Sequence, residues 1–438
     1  MKKRLFTKAL LPLAASMMTF GSGDLIAAIL VQCPGDRNQN ATLNNGDKLQ
    51  LTNQGYTQEQ IEHLKCMHLG ASDGYARMAD GTSSYIFGFS DLTGLPTRRQ
   101  FQKEAVFEAG ILAAQWPAPT IDVNEGDELY LTLTNIGMMM RPDLFDPHSV
   151  HVHGFPEAGY VFDGIPEASV SINMNASLTY YYKFNDPGTY MYHCHVEAAE
   201  HMQMGMLGNL YVRPDQDGTL IEYPSGSGKH YNRFAYNDGD GSTGYDVDYP
   251  IQVGSFDSAF HAASENVQPL PFALMKDDYP MINGRGYPDT VDPREQGKNP
   301  NAFNTFPPAE GSGANFTNPA ANLKTSQAVS SLVTADPGQR VLLRISNLNI
   351  TRFYTLQSLG LPMQVVGKDA KLLRGPDGKS LYYTTNSVTL GGGESYDVIL
   401  DTTGTSSGDT FFLYAANLNY LSNGEEEYGG MMTEIRIN

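Results

Sequence analysis

"SLTYYYKFNDPGTYMYHCH" (177–195) carries two runs of alternating character on either side of Asp186-Pro187-Gly188. A period of two marks strands with one face in a core, and an Asp-Pro-Gly triplet supplies the turn between them. The stretch ends in His193-Cys194-His195. On an extended backbone the two imidazoles then point to one face and the thiol to the other. Working outward, "TIDVNEGDELYLTLTNI" (120–136) alternates around Gly126-Asp127 and reads as two strands meeting at a corner. "TADPGQRVLLRISNLNI" (334–350) has the same turn, apolar strand and closing Asn. Gly126-Asp127 answers to Gly338-Gln339, and Asn135 to Asn347. Two copies of one β-sandwich module are the economical reading, because short strands broken by turns are what such an architecture requires.

At 438 residues the chain is long enough for two or three domains with real cores. Lys2, Lys3 and Arg4, the apolar stretch from Leu10 to Phe20 and the small Ala27 and Ala28 read as a secretory signal over 1–28. Lys8 and Pro12 break that apolar run, which is too short for a membrane span. A soluble periplasmic or secreted protein is expected. The net charge of −19 becomes about −22 without the signal, which makes nucleic acid an unsuitable partner and favours cations. Of three cysteines, Cys33 and Cys66 are expected to pair in an oxidising compartment, leaving Cys194 as a lone thiol that needs its own explanation. The expected organisation is a signal (1–28), an N-terminal extension (29–80), a first sandwich (81–214), a linker (215–248) and a second sandwich (249–438). A long polar loop is expected over 294–322. One short helix is expected in "TQEQIEHLKCMHLG" (57–70), where Thr57 and Gln60 offer a capping box.

Six of the ten histidines fall between residues 148 and 201, around the lone thiol. In "DPHSVHVHGFPEAGYVFDGIPEASVSINM" (146–174), His151 and His153 alternate, so both share one strand face. His193 and His195 repeat that geometry about Cys194. One strand can therefore serve two metal sites back to back. Copper suits the thiolate side better than structural zinc: a blue-copper centre takes two His and one Cys with a weak axial Met. Cys194 supplies the sulfur, His201 and Met206 follow in "YMYHCHVEAAEHMQMGM" (190–206), and His148 arrives from the upstream cluster. Met202 and Met204, with Met138, Met139 and Met140, read as packing residues, with a soft port for cuprous ions as the alternative. His63 and His68 read as surface residues. Asp163 and Glu197 are either solvated acids or groups that orient imidazoles.

"HSVHVHG" (148–154) and "YHCHVEAAEHMQMGM" (192–206) resemble the copper motifs of multicopper oxidases, His-Pro-x-His-x-His-Gly and His-Cys-His…His…Met, with Ser149 where Pro is usual. "APTIDVNEGDELYLTLTN", "INGRGYPDT", "LLRISNL" and "GGGESYDVILDT" are also similar to that family. The resemblance implies an all-β chain of two cupredoxin-like Greek-key β-sandwich domains with an N-terminal extension. It implies His148, Cys194, His201 and Met206 as type 1 copper ligands. It also implies His151, His153, His193 and His195 as half of the ligands to a type 2/type 3 trinuclear cluster that reduces dioxygen. The reductant is a small molecule or a metal ion. Family members complete the cluster with eight histidines, whereas only His230 and His261 follow residue 201 here, so the second module is expected to be copper-free. A symmetric homo-oligomer, a partner subunit, or His63 and His68 folding over the site would supply the rest; assembly between chains is the expectation. A nitrite reductase is disfavoured, since that pattern has Asp where His151 stands. The rival from another class is a cupredoxin-type electron carrier or copper-binding protein without oxidase activity.

Overall fold

The computed structural model describes residues 29–292, 305–306 and 324–438. The expected signal, 1–28, lies outside the described residues, as does the polar loop 294–322 apart from 305–306. Two sandwiches follow one another, each built from a pair of sheets. In the first, β1 (Leu64–Arg77), β2 (Ser83–Asp91), β4 (Glu128–Gly137) and β6 (Ser177–Lys183) form a sheet in the order β2-β1-β4-β6. Its other sheet runs β3-β8-β7-β5, with β3 (Ala118–Asn124), β5 (His151–His153), β7 (Gly188–His193) and β8 (Leu207–Arg213). The turns at Gly126-Asp127 and Asp186-Pro187-Gly188 thus carry the chain from one sheet to the other, as the corner reading requires.

The second module repeats this wiring. Val247–Phe256 runs parallel to Arg340–Asn347, as β1 does to β4, and Val333–Ala335 runs parallel to Met432–Ile437, as β3 does to β8. Gly126 and Gly338 hold matching left-handed conformations, with φ of 82° and 84°. These are turns where a Cβ would be strained. The paired asparagines repeat too: the side-chain oxygen of each accepts the N–H two residues on, from Gly137 and from Asn349. The Asn135 amide donates to the carbonyls of Asp146 and Ile172, and the Asn347 amide to that of Leu390. Each asparagine ties a strand end to a distant loop, and in the first module that loop carries His148.

Alternation delivers Leu129, Leu131 and Leu133 of β4 and Tyr190 and Tyr192 of β7 to the first core, together with Phe87, Phe89, Leu210 and Val212. The outer face of the β1 sheet is not left to solvent. The Leu30 N–H donates to Ser177 Oγ at 2.8 Å, and Ile29 packs with Leu92, Val106 and Ile136 beneath helix Gln100–Gly110. Cys33 and Cys66 form the expected disulfide, with Cα atoms 6.0 Å apart, and clamp this cover to β1. Two expectations need correction. The first sandwich does not begin at residue 81, because β1 lies between β2 and β4 inside the span read as extension. The helix capped by Thr57 and Gln60 stops at Glu62, and "LKCMHLG" is strand. Covered on both faces and holding Gly70 and Gly74, β1 shows no clean alternation.

His68 sits in β1 and is wholly buried, with Nε2 2.7 Å from Thr134 Oγ1, so it is neither a surface residue nor a ligand. Burial lowers its pKa from 6.5 to about 4. Between those values the unfolded chain takes the proton first, so this contribution to stability is complete above pH 6.5 and lost as pH falls through 4. Replacing His68 with Leu should therefore remove roughly 3 kcal/mol of the acid-side fall in unfolding free energy. Urea unfolding of the metal-free chains at pH 7 and pH 4 measures it, and parallel losses in both chains would refute the burial argument.

Candidate metal centre

The strand β7 keeps Tyr190 and Tyr192 in the core, and the next residue on that face is Cys194, fully buried. Glu197 then takes a left-handed conformation, φ 45°, which turns the chain into the short helix Ala198–Gln203 and brings His201 back. The loop closes through His201 N–H to the Glu197 carbonyl, Met206 N–H to the His201 carbonyl and Cys194 N–H to the Met206 carbonyl. His148 is held by an extended bridge to Ile172, the segment that Asn135 anchors. The Cys194 Sγ ends 3.3 Å from His201 Nδ1 and 3.8 Å from His148 Nδ1. Met206 is fully buried in the same core cluster as Cys194.

Burial sets the protonation of this group. It pushes His201 down to about 4 and His148 well below the ordinary histidine value, so both rings are neutral near pH 7 with lone pairs free for a metal. It pushes the Cys194 thiol up to about 12, so a cation must displace that proton to gain the sulfur. One soft sulfur, two neutral imidazoles and a buried thioether form a donor set that fits copper.

On the opposite face of the same residues lies a second set. Donor atoms of His151, His153 and His193 lie within 4.8 Å of one another. The His195 ring is 5.1 Å from that of His151. Pairing of β5 with β7 places His151 opposite His193. His151 Nδ1 donates to the Asp163 carbonyl at 2.6 Å and His193 Nδ1 to the Cys194 carbonyl at 2.9 Å, which leaves each Nε2 as the free donor atom. Asp163 thus orients its imidazole through the backbone, with its carboxylate 3.6 Å from that ring nitrogen. Burial lowers His193 to about 3 and lowers His151 and His153 as well. The second module walls one side, since Gly393 lies against His153 with no room for a Cβ.

The remaining histidines do not join either set. His63 Nδ1 pairs with Asp127 at 2.9 Å, His68 with Thr134, and His230 is exposed. His261 is buried with its nitrogens on the carbonyls of Tyr85 and Gln203. The imidazole face therefore offers four histidines, and by itself does not fit the eight-histidine cluster that the resemblance implies. Met138 and Met204 are core residues and Met202 packs against the cluster around Trp116, as packing residues do, while Met140 is exposed. Sequence reasoning missed Asn135 and Gly393 as supports for these sites; the recurrence of Asn135 as Asn347 was the available signal.

Two cupredoxin-like sandwiches, the first with a Cys-His donor set at one end of its core, define the class of the molecule. The multicopper oxidase family profiles match residues 98–217 and 266–435. The chain is 23% identical over 359 residues to Laccase-1 of Cryptococcus neoformans var. neoformans serotype D, covering 78% of this chain and 48% of that protein. It is 33% identical over 135 residues to Laccase abr2 of Aspergillus fumigatus, covering 30% of this chain and 20% of that one. The chain thus spans about half the length, or less, of these curated relatives. Among solved structures it is similar to the blue copper oxidase of Nitrosomonas europaea, with a TM-score of 0.57, 21% identity and 85% of each chain covered. It is also similar to the copper nitrite reductase of that organism, with a TM-score of 0.52, 16% identity and 85% and 93% covered. These likenesses speak to the fold. The chain belongs to the multicopper oxidase family, and copper is the cofactor that membership brings.

Replacing Cys194 with Ser should abolish the blue absorption of the copper-loaded protein, and a variant that stays blue refutes the sulfur assignment. Met206→Leu should keep the colour and shift the reduction potential, because a weak axial ligand tunes the centre without building it. Titrating the blue band electrochemically reads both effects.

Proposed function

We propose that this protein is an exported copper oxidase in which His148, Cys194, His201 and axial Met206 hold a type 1 copper and the imidazole face receives its electrons. Bound there, copper supplies one-electron redox chemistry, with a small-molecule or metal-ion reductant as donor and dioxygen as final acceptor. The observation that carries the reading is Cys194 Sγ, 3.3 and 3.8 Å from two neutral imidazoles in a dry core, joined by one peptide unit each to His193 and His195.

The chain's own residues prepare this route. Burial of Cys194, His148, His201 and Met206 excludes water, so little solvent must reorganise when charge moves. The Cys194 carbonyl accepts the His193 Nδ1 proton, adding a hydrogen-bonded link beside the covalent one. The backbone of Asp163 fixes the His151 tautomer. Since all ten histidines are accounted for, the further imidazoles of a type 2/type 3 cluster would come from another chain, and assembly between copies supplies a second set of four. His195 and His151 keep part of their rings open for that contact, with 14% of the His151 side chain exposed.

The second reading, an electron carrier without oxidase activity, is favoured by the same histidine count. Copper analysis separates the two. An oxidase should bind more than one copper per chain, show a near-ultraviolet shoulder, sediment as an oligomer and consume dioxygen when a reductant is added. One copper per chain with blue colour and no oxygen uptake would establish the carrier.

A further inference from the structure

Ser149 stands between His148 and Val150, where the resembling family motif has proline. The exchange matters because proline has no backbone N–H. In this chain the Ser149 N–H lies 3.5 Å from Cys194 Sγ and donates to it. The Ser149 hydroxyl accepts the N–H of His195 at 3.2 Å. Ser149 is fully buried, so neither bond competes with water.

The surroundings of the sulfur give the N–H its weight. As a thiol, Cys194 donates to the Val196 carbonyl at 3.7 Å. Once the proton leaves, that carbonyl no longer has a donor facing it, and the thiolate relies on N–H and O–H groups around it. His148 and His201 present ring nitrogens with the geometry of metal ligands, and the N–H of Cys194 itself is committed to the Met206 carbonyl. The Ser149 N–H thus reaches the sulfur from the His148 segment, beside smaller contributions from the Val196 backbone and the Ser149 hydroxyl. Such a bond draws electron density off the sulfur, and a poorer electron donor supports cupric copper less than cuprous copper.

We propose that Ser149 is a positioning residue acting through Cys194, whose backbone N–H holds the type 1 copper at a higher reduction potential than proline at this position would. The proposal rests on the type 1 reading of His148, Cys194 and His201. A higher potential lets the centre accept electrons from weaker reductants. The hydroxyl also fixes the backbone at the start of the His195 turn, and its contribution to the sulfur is the smaller one.

Two substitutions separate these roles. Ser149→Ala keeps the N–H and loses the hydroxyl, whereas Ser149→Pro loses both. His148 is extended in its bridge to Ile172, so the residue before the new proline already has the conformation that proline demands. Copper-loaded full chains are titrated electrochemically while the blue band is followed. The expected result is a clear downward shift for Ser149→Pro and a much smaller one for Ser149→Ala. A Ser149→Pro protein that titrates with the parent, or a Ser149→Ala protein that shifts as far as Ser149→Pro, overturns the proposal. Should Ser149→Pro fail to fold, the cadmium-substituted parent decides: magnetic coupling between the Ser149 amide proton and cadmium through the sulfur supports the bond, and its absence overturns it. A parent that binds copper without blue colour removes the ligand assignment and this proposal together; a blue parent with an unmoved Ser149→Pro removes only the role of Ser149.

Discussion

The alternation of an extended backbone at residues 193–195 is the constraint on which the metal chemistry depends. Because successive side chains leave a strand in opposite directions, a thiol flanked by two imidazoles cannot share a face with them. The core side of β7 is already lined by Tyr190 and Tyr192, so Cys194 continues into a dry, closely packed interior. The imidazoles are turned outward to a boundary between modules, where His153 meets Gly393. One dipeptide step thus separates a buried sulfur donor set from a set of imidazoles on the other face.

The second module serves the first as a wall. Its buried Arg344 lies between Asp248 and Asp397, and Asp397 accepts the hydroxyl of Thr189 on β7 at 2.6 Å. Ser395 donates to the Thr189 carbonyl, and Ser346 to Asn209 on β8. These bonds lie on the outer face of the sheet that carries His151 and His193. The charges compensate one another within the second module, and the buried hydrogen bonds to Thr189 and Asn209 fix how the modules meet. Gly393 meets His153 as part of that fixed junction, and only a residue without a side chain fits there.

Several features were legible because each rests on local chemistry. Gly126 and Gly338 mark turns that require left-handed backbone, Thr57 and Gln60 satisfy each other's backbone donors, and Cys33 pairs with Cys66 as expected, leaving Cys194 free. The strand β1 was not legible. Its outer face is covered by residues from Ile29 onward, which buries His68, and its core face admits Asp73, whose carboxylate accepts the Tyr85 hydroxyl, so polar residues interrupt the apolar pattern while the backbone stays in the sheet. His68 misled for the same reason, since a hydrogen bond to Thr134 lets an imidazole be buried where polarity alone suggests a surface.

By itself the sequence determined the kinds of donor atoms, their spacing along two strands and the duplication of the sandwich, because strand period and turn chemistry act over a few residues. Only the tertiary structure decided which donors meet. His148 and Cys194 are 46 positions apart and come together because Asn135 ties one loop to another across the sandwich. It also decided that the Ser149 N–H reaches the sulfur, since hydrogen bonds between distant segments depend on how sheets pack and not on the order of residues.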